Sequence, residues 1–131
     1  KEDRKDVDIK EEDCLVINLS GVLHFNASES LKKKLNDSFT EKQVYVLRLR
    51  DIQDIDITAI QELDKFIERV EENEGFVMLC GLDENIRNAL KEYGLIKKVG
   101  EDNIFMEKDD IFHSTKNAIM EAEKKANGSN N

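Results

Sequence analysis

Apolar positions recur along this chain at two periods. Leu15, Ile17 and Leu19 alternate with Val16 and Asn18, the period-two pattern of a strand with one buried face. Ser20-Gly21 supplies a turn, and Val22-Leu23-His24-Phe25 resumes an extended apolar segment. Asn26 with Glu29 three positions on predicts an N-cap and a partial capping box. Leu31, Leu35 and Phe39 then form one apolar stripe of a helix, beside Lys32, Lys33 and Lys34. Val44 to Leu49 is nearly continuous in β-forming apolar residues, as in strands of parallel sheets covered on both faces. A second helix is predicted from about Thr58 to Asn73, with Ile60, Leu63, Ile67 and Val70 inward and Gly75 as its stop signal.

Phe76 to Cys80 reads as another strand, ended by Gly81. Asp83 caps a short helix with Ile86, Ala89, Leu90 and Tyr93 inward and Gly94 at its end. Asn103 to Met106 is a last short strand, and Asp109 or Asp110 caps a final helix with Ile111, Phe112, Thr115, Ala118, Ile119 and Ala122 inside. Extended segments followed by alternating strand and helix define an α/β fold with a mixed sheet: antiparallel pairing near the N-terminus, right-handed crossovers after it. Residues 1–13 read as a charged linker or edge strand, 14–124 as the folded domain and 125–131 as a disordered tail.

Composition narrows the partners more than the fold. At 131 residues the chain fits one domain, and 39% hydrophobic residues are enough for a core. A net charge of −9 opposes nucleic acid or an anionic membrane surface as the main partner. No apolar run is long enough to span a bilayer. The chain opens on Lys1-Glu2-Asp3-Arg4-Lys5 without an initiator Met, which reads as a piece cut from a longer protein. Cys14 and Cys80 both fall in strand-like apolar segments, the pattern of buried reduced thiols rather than of a disulfide scaffold or a zinc site.

Catalytic signatures do not assemble. The six glycines are too scattered for a phosphate-cradling loop. His24 and His113, the two histidines, have no nucleophile or second imidazole at motif spacing, so neither is assigned a catalytic role. Candidate chemistry concentrates in the turn after Leu49. Asp51, Asp54 and Asp56 crowd it, but they lack the glycine and distal glutamate of a calcium loop, so no metal or other cofactor is expected. Their expected work is to cap the turn and favour the positive end of the following helix, with Arg48 and Arg50 close enough in sequence to offset repulsion. Thr58 has two readings. With Gln61 it fits a Thr-x-x-Gln capping pattern; if Asp56 holds the cap instead, the Thr58 hydroxyl is left available for modification.

Three segments carry a family resemblance: Leu19 to Ala27, Leu47-Arg48-Leu49-Arg50-Asp51-Ile52 with Ile55 to Ala59, and Leu79-Cys80-Gly81. In order and spacing they resemble the STAS domain, the module shared by anti-sigma factor antagonists and the cytosolic C-terminal regions of SulP-type anion transporters. The similarity runs from about Cys14 to Ala122, and its Gly-x-Leu-x-Phe segment and Leu-Arg-Leu-Arg strand resemble the SulP branch more. The resemblance implies a four- to five-stranded mixed sheet with about four flanking helices. It also implies a non-catalytic regulatory or interaction role, supporting folding, assembly or regulation of a sulfate or other anion transporter on the cytoplasmic side of its membrane. Expected partners are the transmembrane part of the same transporter and a cytosolic regulatory protein.

In antagonists the matching turn reads Asp-Ser-Ser-Gly, with the second serine phosphorylated by a partner kinase; transporter versions often read Asp-Ala-Thr-Gly. Here Asp56 and the hydroxyl of Thr58 are kept, but Ile57 and Ala59 replace the small residue and the glycine. Both would crowd a closely docking partner. A docking surface of Asp54, Asp56, Ile57, Thr58, Gln61 and Glu62 is therefore expected first, and phosphorylation at Thr58 second. The alternative is a free-standing antagonist that binds a kinase-type anti-sigma factor and is switched at Thr58. A nucleotide or small-ligand sensor is the third reading.

Overall fold

The structure is a computed structural model and describes residues 14–20, 28–40, 44–52, 54–107 and 120. Strand β1 (Cys14–Asn18) leads to helix α1 (Ser28–Ser38), then β2 (Val44–Arg48) and α2 (Ile57–Glu72). Strand β3 (Phe76–Leu82) follows, then α3 (Glu84–Glu92), α4 (Leu95–Val99), a 3₁₀ turn at Glu101–Asn103 and β4 (Ile104–Met106). The strands lie in the order β1-β2-β3-β4, and every described neighbouring pair is parallel. Right-handed crossovers through a sheet built in sequence order put all the connecting helices on one face.

Side chains alternate across the sheet as strand geometry requires. Ile17, Leu19, Tyr45, Leu47, Leu49, Val77 and Leu79 join the main core with Leu31 and Leu35 of α1 and Leu63, Phe66 and Ile67 of α2. Val44, Val46, Met78 and Cys80 form a second buried cluster, set on the opposite face by the same alternation. Continuous burial of Val44 to Leu47 is the two-faced burial expected of that run. In β3 the alternation breaks at Gly81, whose φ is +78° and where the register with β4 shifts between Cys80 and Leu82. This bulge turns Leu82, which simple alternation would send to the far face, into the main core.

Several sequence expectations are corrected. Gly81 does not end its strand; it is the bulge within it. The left-handed residue that stops α2 is Glu74 (φ 67°), not Gly75. Gly75 N donates to Val70 O and Glu74 N to Glu71 O, the paired bonds of a Schellman motif. Tyr93 is exposed rather than inward. Helix α4, with Leu95, Ile96 and Val99 buried, was not anticipated. All four described strands are parallel; the segments from which antiparallel pairing was expected, Val22–Phe25 and residues 1–13, lie outside the described residues. So do the Asn26 cap, His24, His113, the tail and, apart from Met120, the final helix.

Candidate functional site

Because the strands are parallel, their C-terminal ends share one edge of the sheet, where ligands and partners of open α/β sheets are commonly received. The turn from Leu49 to Asp56 stands on that edge. Leu49 N donates to Cys80 O at 2.9 Å, tying the turn to β3 beside the Gly81 bulge. Asp51 takes a left-handed backbone, φ 62°, to reverse the chain.

Asp56 is the N-cap of α2. Its backbone is extended (φ −93°, ψ 171°) and its carboxylate accepts from Ala59 N at 2.9 Å. Thr58 is therefore not the cap: it is the second helical residue, exposed, and its Oγ1 donates to the same Asp56 oxygen at 2.9 Å. The helix begins two residues earlier than its Thr-x-x-Gln pattern predicts. Asp83 repeats the device on α3, accepting from Ile86 N at 2.8 Å as its sequence predicted.

The six residues read as a docking surface divide into two sets. Asp54, Ile57, Thr58 and Gln61 are exposed around the first turn of α2, with Ile57 39% accessible, high for an isoleucine. Asp56 is half-buried in its capping role. Glu62 turns away toward α1 and lies 3.7 Å from Lys65, its side chain only 18% exposed. Among the described residues neither Arg48 nor Arg50 pairs with the aspartates, and the Nε of Arg50 is buried without a hydrogen-bond partner. No group of three or more His, Cys, Asp or Glu side chains gathers among the described residues in a way that could hold a metal ion.

The opposite flank of α2 packs on α4. Lys98 Nζ lies 2.5 Å from Asp64 Oδ1 and 3.6 Å from Glu68 Oε2. Its hydrogen bond to Asp64 outweighs partial desolvation and raises the ammonium pKa above its ordinary value. Sequence reading missed this pair, because the residues are 34 positions apart and α4 had no recognisable pattern. It also missed Phe66, which meets Tyr45 edge-on at 5.2 Å and Phe39 at 6.3 Å. Its signal was the spacing of three from Leu63 and of four from Val70 along the inward face. Cys14 and Cys80 stand two strands apart and offset by four register steps, a separation of about 16 Å that excludes a disulfide between them.

The described residues thus define a parallel α/β module whose sheet edge presents a capped helix start with an exposed hydroxyl and an exposed isoleucine. The chain belongs to the STAS domain family, whose model matches residues 6–121. Proteins it is similar to include a putative sulfate transporter and the STAS domain of a SulP transporter. It is 26% identical over 94 residues to the Bacillus subtilis (strain 168) protein named "Putative sulfate transporter YvdB", covering 71% of this chain and spanning 18% of that protein's length. A sulfate transporter family protein from Wolinella succinogenes shares the fold at TM-score 0.64 and 24% identity, over 92% of this chain and 95% of that one. The STAS domain of a SulP transporter from Vibrio cholerae does so at TM-score 0.64 and 24% identity, over 86% of this chain and 88% of that one. Murine solute carrier 26 family member A9, an anion transporter, contains the fold at TM-score 0.67 and 15% identity, with 85% of this chain matching 18% of its own. No described helix is long and apolar enough to cross a membrane.

Proposed function

We propose that this chain is a regulatory interaction domain on the cytoplasmic side of a SulP-type anion transporter, and that it engages the membrane-embedded part or a cytosolic regulator. It would do so through Asp54, Ile57, Thr58 and Gln61. The observation that carries this reading is the exposed apolar side chain of Ile57 beside a free-standing polar rim, in a domain whose relatives are transporter domains. An isoleucine exposed among carboxylates gives a partner an apolar anchor inside a polar frame. The test is the parent reading frame together with an Ile57→Asp variant of the full-length protein. Membrane-spanning segments encoded in the same frame, with anion uptake or assembly reduced while the domain stays folded, are the expected results. A frame without such segments overturns the reading.

The exposed Thr58 hydroxyl favours a second reading, a phosphoswitched antagonist. Phosphorylation there would replace the hydroxyl donor to Asp56 with a dianion, trading a cap-reinforcing bond for like-charge repulsion. Under this reading Thr58→Glu abolishes binding to a kinase-type anti-sigma factor. If no such kinase labels Thr58 and no binding is seen, it is eliminated.

A further inference from the structure

Three cations of this acidic chain line one groove on its helical layer. A groove of about 120 Å³ runs between α1 and α2, floored by Leu35 and Phe66. Lys32, Lys65 and Arg69 rim it, with Asn36 and one carboxylate, Glu62. We propose that this groove docks an acidic amphipathic segment of another polypeptide, which sets an apolar side chain on the Leu35–Phe66 floor and carboxylates against the three cations.

Charge complementarity carries the choice of occupant. Three cations against one carboxylate give the groove a local charge of +2 on a chain whose total is −9. An acidic partner is repelled by most of this surface, so the groove is where contact is favourable. The Arg69 guanidinium is already held in place. It lies 3.8 Å from the Phe39 ring centroid, and its Nη1 donates to Asn36 Oδ1 at 3.4 Å. A planar fork positioned in this way loses little entropy on meeting a carboxylate. Lys32 has no ion-pair partner among the described residues, although the adjacent Lys33 is paired with Asp37 at 2.9 Å.

Size and surroundings disfavour the other occupants. A volume near that of four waters admits one side chain, well below the several hundred Å³ typical of a small-molecule pocket. An anionic bilayer would meet the exposed Glu68 and Glu72 on the outer face of α2 as well as the cations. The site is distinct from the Ile57–Thr58 surface, shares only Glu62 with the residues read from sequence as a docking face, and stands or falls separately from the function proposed above.

The test is an amide NMR titration of the full chain with a short Glu/Leu amphipathic peptide, its Lys/Leu counterpart, sodium sulfate, and phosphatidylglycerol vesicles. The acidic peptide is expected to shift Lys32, Asn36, Lys65 and Arg69, with affinity that falls as salt is raised. Lys32→Glu with Lys65→Glu should weaken it at least about tenfold, and Lys32→Met with Lys65→Met should weaken it less. The Lys65 side chain is 70% exposed, so both pairs of substitutions should leave the far-ultraviolet dichroism unchanged. Equal binding of the basic peptide, shifts confined to other surfaces, response to sulfate or vesicles alone, or no shift at about millimolar peptide would each overturn the proposal.

Discussion

Two left-handed residues, at opposite ends of β3, decide how much change the backbone tolerates there. At Gly81, with φ at +78°, an added Cβ would stand 3.2 Å from Arg50 N and 3.3 Å from Arg50 Cα. The conformation alone costs a non-glycine residue about 1–2 kcal/mol, and the contact is with backbone that cannot swing aside. Gly81→Ala should therefore lower the urea midpoint by at least that equivalent and shift the amide signals of Arg50 and Asp51; an unchanged midpoint would refute the strain argument. Glu74 is the reverse case, a side chain where the Schellman motif favours glycine. Glu74→Gly should stabilise the domain by about 0.5–1 kcal/mol in the same assay, because relief of left-handed strain exceeds the added entropy of the unfolded chain. Neither position could be assigned from sequence. Gly75 and Gly81 both read as terminators, yet the left-handed turn falls one residue before the first, and the second sits inside a strand. A margin of two residues separated Asp56 from Thr58 as the cap. Both oxygens were within reach of the helix start, and only the backbone at Asp56, extended at ψ 171°, decides between them.

Among elements, those with long periodic signals were legible and short ones were not. The inward face of α2 was readable from Ile60, Leu63, Ile67 and Val70, and the buried run of β2 from its unbroken apolar residues. Helix α4 spans only Leu95–Val99, too few residues to show a period, so its clasp on α2 through Lys98 was hidden. That clasp has a pH signature. Lys98 is raised above its ordinary 10.5 by the Asp64 hydrogen bond. Its contribution is thus complete below the unfolded value and is lost as pH rises through the higher folded one. Neighbouring Glu71 is raised too, by desolvation first, while the charge of Lys98 opposes the rise. Lys98→Met should cost about 0.5–1 kcal/mol at neutral pH, since both partners are partly exposed. It should also flatten the alkaline decline in stability and move the Glu71 carboxyl further upward in an NMR titration. A Glu71 titration unmoved by the substitution would show that the two groups are not coupled.

For the molecule as a whole, topology follows from strands joined in sequence order by helices, which places three crossovers on one face and the polar helix starts along one edge. The fold class was readable because strand and helix periods alternate. The direction of every strand pair was not, since an extended apolar segment looks the same whichever way its neighbour runs. Net charge is a property at this scale as well. With 29 acidic against 20 basic side chains, the compact state carries uncompensated repulsion that the expanded chain relieves by spreading. Opposing this are ion pairs such as Lys33–Asp37, whose side chains are 78% and 64% exposed and whose attraction the solvent screens strongly. Raising sodium chloride from about 10 mM to 0.15 M shortens the screening length from about 30 Å to about 8 Å. That removes repulsion between distant charges across the domain, while pairs in direct contact lose less. The thermal midpoint at pH 7 should consequently rise by a few degrees over that range, equally with potassium chloride, and the rise should shrink as the pH approaches the isoelectric value of about 4.8. A midpoint that falls with salt would mean that local ion pairs outweigh the excess of negative charge.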